Sequence, residues 1–385
     1  MRATGQQETT GTADSDSTSR RPLLAEIVKG SGPFDLPPGL AALSARGPVH
    51  EAAMHNGDSI WVVCRYAEAR AVLSDPRFSS NRFRTAKWEL LTDEQRRVVG
   101  DEGLRAGAFI TNDPPQHTRY RRLLTGHFTM RGMRQHRLLI ENVVTEQLDA
   151  MLAAGSPADL VTEFAMPVPS RIICALLGVP YGARTEFGQW TSAALRLDAS
   201  IDEMHEATTW LREFMLDLVR RRRTDPADDL ISALAHERAA GPPLTDIEVA
   251  NMAKELFIGG LETTGTMLTL GTLILLEHPD QLDALRGDPA LVDGAVEELL
   301  RYASIARLGM FRVAVEDVEL AGVSLPAGSV LLISPMAANR DAGHWPDPAV
   351  LDLTRESGQH LAFGHGAHQC LGQQLARAEM TTAFT

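Results

Sequence analysis

The sequence predicts a mainly α-helical protein with a small β-sheet region. Three observations carry that expectation. Helical apolar periodicity fills 136–154, 157–176, 183–195, 203–222 and the long run 245–277. Strand-like runs are few and short: 59–64 early, then 311–315, 318–320 and 330–334 late. The composition, 44% hydrophobic and 23% charged over 385 residues, supplies enough apolar side chain for one large core.

Taken in chain order, residues 1–20 are rich in Thr, Ser, Gln and Asp, almost lack large apolar side chains, and read as a disordered tail. Arg20-Arg21 is followed by no apolar h-region, so a twin-arginine signal is rejected. Ser-Ile-Trp-Val-Val-Cys at 59–64 is a strand, and 66–73 a short helix stopped near Asp75-Pro76. Residues 77–115 read as loop, with one charged helical stretch at 93–99; so long an irregular segment in a compact protein is usually functional or disordered. Asp113-Pro114-Pro115 starts a basic helix over 117–128. The late strands turn at Pro326-Ala327-Gly328 and make a small sheet. No repeat and no linker appears, so 21–385 is expected to be a single domain.

Several function classes are disfavoured. A net charge of −13 argues against nucleic acid as the main partner. No window approaches the apolar length of a membrane span, so no membrane partner is expected. Cys64, Cys174 and Cys370 are too few and too scattered for a disulfide framework and fit a reducing cytoplasm.

The helix over 245–277 opens with the capping-box pattern Thr245-Asp246-Ile247-Glu248 and ends before His278-Pro279. At 1.5 Å per residue it spans roughly 50 Å. Its centre nevertheless reads Gly259-Gly260-Leu261-Glu262-Thr263-Thr264. Each glycine costs about 1 kcal/mol against alanine, and the threonines add β-branched strain. A local rule broken at the centre of a buried element marks a functional site. Gly259 and Gly260 would admit a flat ligand to the backbone, with Glu262 and Thr263 placed to relay protons. The competing reading is helix–helix packing through glycine, with Glu262 exposed.

A second concentration of chemistry is Phe363-Gly364-His365-Gly366-Ala367-His368-Gln369-Cys370-Leu371-Gly372. Cys370 lies where a glycine-rich loop enters a helix over 371–384. Converging N–H groups and the positive helix end there stabilise a thiolate. Three readings stand: a small buried hydrophobe, a zinc site drawing on His360, His365, His368 and Cys370 despite irregular spacing, and a thiolate holding haem iron.

This run fills every fixed position of F-G-x-G-x-H-x-C-x-G and closely resembles the haem-binding signature of cytochromes P450. Residues 259–264 resemble that family's [A/G]-G-x-[D/E]-T-T segment. Glu298-Leu299-Leu300-Arg301 resembles its E-x-x-R pair, and 113–121 its D-P-P-x-H-x-x-x-R segment. The elements occur in family order from about 60 to 384. The resemblance implies the P450 fold, with haem b (iron protoporphyrin IX) between a long distal helix and the Cys-loop helix. It implies Cys370 as proximal ligand, Phe363 packed beside the sulfur, and Gly364, Gly366 and Gly372 shaping the loop. His117, Arg121, Arg312 and His368 would hold the haem propionates. Glu262 and Thr263 would deliver protons to dioxygen, and Glu298 and Arg301 would form a buried structural pair.

By the same resemblance, substrate contacts fall at Phe109, Ile110, Glu255, Ile258, Gly259, Leu308 and Gly309, with 183–195 and 203–222 as a mobile lid. Glu255 is unexpected on a pocket wall. It would bind a cationic or hydroxylated part of the substrate, or else rotate aside to pair with a basic side chain. The implied activity is monooxygenation of a small to medium organic substrate, expected to be a secondary metabolite, using O2 and two electrons. Those electrons would come from a ferredoxin and ferredoxin reductase, the former docking near Arg122 and Arg377. Oxidative coupling, nitration, peroxide-driven oxidation and a non-catalytic helper role are the alternatives. The family continues past this last helix into a strand-rich tail, which the chain is expected to lack.

Overall fold

A computed structural model describes residues 21–30, 32, 34–55, 57–81, 102–180, 182, 190, 200–238, 241–307, 309–356 and 358–385. The expected tail at 1–20, the helical stretch at 93–99, most of 183–195 and Leu308 lie outside the described residues. Ten helices of nine or more residues are described. They are α1 (Pro38–Arg46), α2 (Tyr66–Ser74), α3 (Gln116–Thr125), α4 (Met130–Ala154), α5 (Pro167–Leu177), α6 (Ile201–Thr224), α7 (Asp246–Glu277), α8 (Pro279–Gly287), α9 (Val292–Ala303) and α10 (Gln373–Phe384).

Helix α7 is the axis of the helical part. Its capping box forms as the sequence predicts: Glu248 N–H donates to Thr245 Oγ1 at 3.3 Å, and Thr245 N–H donates to Glu248 Oε2 at 2.7 Å. The helix ends at Glu277, where Pro279 begins α8. It packs on α5 and α6 along one side and on α9 and α10 along the other. No described helix is long and apolar enough to cross a membrane.

The strands are β1 (Val49–Ala53), β2 (Ser59–Val63), β3 (Phe78–Ser79), β4 (Met310–Ala314), β5 (Val318–Leu320), β6 (Val323–Leu325) and β7 (Val330–Ile333). One sheet runs β1-β2-β7-β4-β3, parallel between β2 and β7 (Trp61 opposite Leu331) and antiparallel elsewhere; β5 and β6 form a separate hairpin. The central strands β2 and β7 are buried on both faces at Val62, Val63, Leu331, Leu332 and Ile333, which explains their continuous apolar runs.

Several elements depart from expectation. Strand β1, Val-His-Glu-Ala-Ala, carries little β-propensity of its own and is strand through its pairing with β2. Helix α4 starts at Met130, not 136, because Thr129 Oγ1 caps it by accepting from Gly132 N–H at 3.1 Å. The expected helix 157–176 is two pieces, a π-turn at Val161–Ala165 and then α5, whose early prolines Pro167 and Pro169 cannot donate amides. Helix α10 begins at Gln373, two residues later than expected.

Candidate active site

Along the middle of α7 most side chains are buried, yet Gly259, Thr263 and Thr266 are exposed and Glu255, Ile258 and Glu262 partly so. Spacings of four, seven, eight and eleven residues from Glu255 place them on one helix face. An accessible stripe on a helix packed elsewhere marks the wall of a cavity. The two glycines divide the rival readings. A Cβ on Gly259 would stand in open space, as access to a flat ligand requires, whereas one on Gly260 would lie 3.1 Å from Ile173 Cδ1 of α5. Gly260 therefore serves helix packing rather than ligand approach, a correction to the sequence reading. Thr263 Oγ1 donates to Gly259 O at 2.6 Å, leaving its lone pairs toward the cavity. Burial pushes the Glu262 carboxyl above the usual carboxylate range.

The cysteine loop closes on itself: Cys370 N–H donates to Phe363 O at 2.8 Å and Gln369 N–H to Gly366 O at 3.0 Å. Gly364 and Gly366 have φ of 69° and 73°, which a side chain would strain. A Cβ on Gly366 would strike the Leu73 carbonyl, so this glycine seats the loop on the end of α2, while Gly372 borders open space and precedes α10. Burial raises the Cys370 thiol, while the amides of Gly372 and Gln373 and the charges of Arg121 and Arg377 pull the other way. Arg377 also lies 4.6 Å above the Phe363 ring and grips Glu297 through Nε at 2.5 Å and Nη2 at 3.0 Å. It is thus committed inside the protein rather than free as a docking cation; Arg122 is exposed.

Around this loop sits a cluster short of counter-charge. His117 is 3% exposed, and neither ring nitrogen has a hydrogen-bond partner. Its ring lies 4.0 Å from that of His368. Burial lowers Arg312 to about 10, and burial with His117 and Arg312 lowers His368 to about 3; Asp113 offsets both in part. Arg121 Nη2 donates to Gln369 O at 2.6 Å, tying α3 to the cysteine loop. His117, with both ring nitrogens orphaned, and the desolvated guanidiniums of Arg121 and Arg312 lie together on helix α3, strand β4 and beside the loop, and fit a further acidic group in addition to Asp113. The residues present therefore fit a haem with two propionates. They do not fit zinc. His360 Nε2 faces Glu297 at 3.2 Å and His368 faces His117, and among the described residues no three metal-ligating side chains converge.

Beneath the loop, Glu298 and Arg301 form a fully buried bidentate pair, with both contacts at 2.7 Å. Arg301 also donates to Asn339 O at 2.8 Å and Pro348 O at 2.9 Å. Arg355 Nε adds a contact to Glu298 at 3.2 Å. Asn339 joins this cluster to the loop, its Oδ1 accepting from Leu361 N–H at 2.7 Å. Arg355, Asn339 and Glu297 escaped the sequence reading, because their partners Glu298, Leu361 and Arg377 lie 57, 22 and 80 residues away in the chain.

Of the expected substrate contacts, Phe109 is buried in the core, Ile110 is 52% exposed, and Glu255 Oε2 accepts from Ile110 N–H at 3.2 Å. Gly309 has φ 70° and abuts the Ile333 carbonyl, which makes it the turn into β4.

Comparison with known proteins agrees with this geometry. The family profile described as Cytochrome P450 matches residues 187–385. The chain is 42% identical to pentalenic acid synthase of Streptomyces avermitilis, over 91% of this chain and 86% of that protein. Among solved structures it is similar to Rif16 in complex with R-L, at 52% identity, TM-score 0.81, covering 93% of this chain and 89% of that one. It is likewise similar to mycinamicin VIII C21 methyl hydroxylase MycCI from Micromonospora griseorubida, at 36% identity, TM-score 0.84, covering 91% and 88%.

Proposed function

The chain belongs to the cytochrome P450 family of haem-thiolate monooxygenases, and from that premise we propose that Cys370 is the iron ligand of an enzyme hydroxylating or epoxidising a secondary-metabolite intermediate. The observation that carries this reading is the juxtaposition of the Cys370 loop with the buried arginines Arg121 and Arg312 and the facing rings of His117, whose nitrogens have no partner, and His368. The haem supplies dioxygen activation and oxygen insertion. The chain's own residues hold and tune it. Arg121 and Arg312 take the propionates by charge-assisted hydrogen bonds, with His117 and His368 as further donors. Glu297 fixes Arg377 over Phe363, which braces the loop behind the sulfur. On the other side, Glu262 holds a proton at its raised carboxyl, and the Thr263 hydroxyl passes protons into the cavity. Hydroxylases and oxygenases of natural products among the relatives, including one named for nocardicin C, support the substrate class.

Electrons come from a ferredoxin and its reductase, the donors expected for a bacterial member of this family. The deciding experiment is the absorption spectrum of the dithionite-reduced protein under carbon monoxide. A strongly red-shifted Soret band, lost in Cys370→Ala, is the expected result. A band at the neutral-ligand position in the wild type overturns the assignment.

A further inference from the structure

Glu255 has no part in the chemistry above, yet its carboxylate stands on the accessible stripe of α7 with Gly259 and Thr263. Eight residues separate it from Thr263, about 12 Å along the helix. Resting on the haem-pocket reading, we propose that Glu255 and the Phe109–Ile110 backbone form a substrate-reading site. It would take a hydrogen-bond donor, an ammonium or a hydroxyl, remote from the carbon that is oxidised.

Four observations carry this. First, the loop that Glu255 touches is fastened to α7 without it. Asn251 Nδ2 donates to Gly103 O at 2.6 Å and Ala106 O at 2.7 Å, and Gly107 packs directly against the Glu248 carbonyl. Second, the carboxylate has capacity to spare. A carboxylate has about four acceptor sites, and here the partners are the Ile110 amide at 3.2 Å and the Phe109 amide. Third, among the described residues no cation closes on it. Lys254 is its neighbour in sequence but is turned about 100° around the helix, and it acts on Glu255 through its charge alone. Fourth, the surroundings are apolar, with Phe109 buried and Ile258 part-buried beside it. An acceptor with capacity to spare in an apolar wall fixes a ligand's orientation, because leaving that capacity unused is costly. Burial of Glu255 pushes its carboxyl up to about 7, with the Ile110 and Phe109 amides and the Lys254 charge pulling the other way.

The test uses the haem-loaded protein and N-alkylimidazoles. The imidazole binds iron, and tails spanning about 8 to 12 Å end in an ammonium, a hydroxyl or a methyl group. Affinity is read from the Soret shift, not from turnover. Wild type is expected to bind at least one donor-tailed probe about tenfold tighter than the methyl-tailed one, as a hydrogen bond to a charged group warrants. An ammonium preference identifies a cationic substrate group, and a hydroxyl preference a neutral one. Glu255→Gln keeps an oxygen for the Ile110 amide but loses the charge, so it should abolish an ammonium preference while the methyl-tailed probe binds as before. Glu255→Ala should abolish both preferences. An unchanged preference in these variants, or an equal loss for all three tails, overturns the proposal; the second result would mark Glu255 as a loop fastener. Failure of the methyl-tailed probe to shift the wild-type Soret band would instead overturn the haem-pocket reading, and this proposal with it.

Discussion

Replacing Glu298 by glutamine removes one charge and almost no volume from the centre of the proximal scaffold. Both Glu298 and Arg301 side chains are 0% exposed, and Arg355 contributes a second guanidinium at 3.2 Å. Glutamine leaves one acceptor oxygen and turns an amide donor toward a guanidinium. Breaking a buried pair from one side costs about 3–5 kcal/mol. The retained bonds from Arg301 to the Asn339 and Pro348 carbonyls place the expected loss near the lower end, about 3 kcal/mol. An internal control is Glu141→Gln, at the exposed Arg137–Glu141 pair (76% and 39% exposed), where solvent screening should leave the midpoint almost unmoved. Urea melts of both variants, at equal haem saturation and followed by far-ultraviolet circular dichroism, give the difference. Asn339 links the pair to Leu361, so Glu298→Gln should also lower the fraction of protein showing the thiolate Soret band. A midpoint shift no larger than that of Glu141→Gln would refute the reasoning.

Two further outcomes follow from the geometry. Gly259→Ala should raise stability by up to about 1 kcal/mol through helix propensity, while its methyl group weakens imidazole binding by intruding on the cavity; Gly260→Ala, 3.1 Å from Ile173, should leave imidazole binding unchanged and gain less stability. Urea midpoints and Soret titrations check both, and indistinguishable titrations of the two variants would count against the assignment of faces. Glu379 of α10 is buried, its Oε2 has no partner, and burial raises its carboxyl well above the ordinary 4.5. The native state therefore keeps a proton that the unfolded chain releases, so stability is full below about pH 4.5 and declines as pH rises toward the folded value, by at most about 1.4 kcal/mol per pH unit. Glu379→Gln should flatten that decline in urea melts taken between about pH 5 and 8; equal slopes in both proteins would contradict it.

Much of the site was legible because its signals are local. The capping box at Thr245, the stop at His278-Pro279, the i,i+3 pair of Glu298 and Arg301, and the loop around Cys370 each depend on residues within a few positions of one another, and each forms where expected. Strand β1 was not legible, since Val49–Ala53 becomes strand by pairing with β2 and not by its own propensity. Nor was the true length of α4, which a single cap at Thr129 sets.

By itself the sequence determined the helical class, the long glycine-containing helix and the residues proposed for haem-thiolate chemistry, because backbone preference and motif chemistry are properties of short segments. Only the tertiary structure decided what each charged or small residue faces. It set Gly260 against Ile173, committed Arg377 to Glu297, and brought Arg355 to Glu298. It also brought the Ile110 amide to Glu255, 145 residues away in the chain. Such partners are chosen by packing and by the need to satisfy buried charge, and neither acts until distant segments meet.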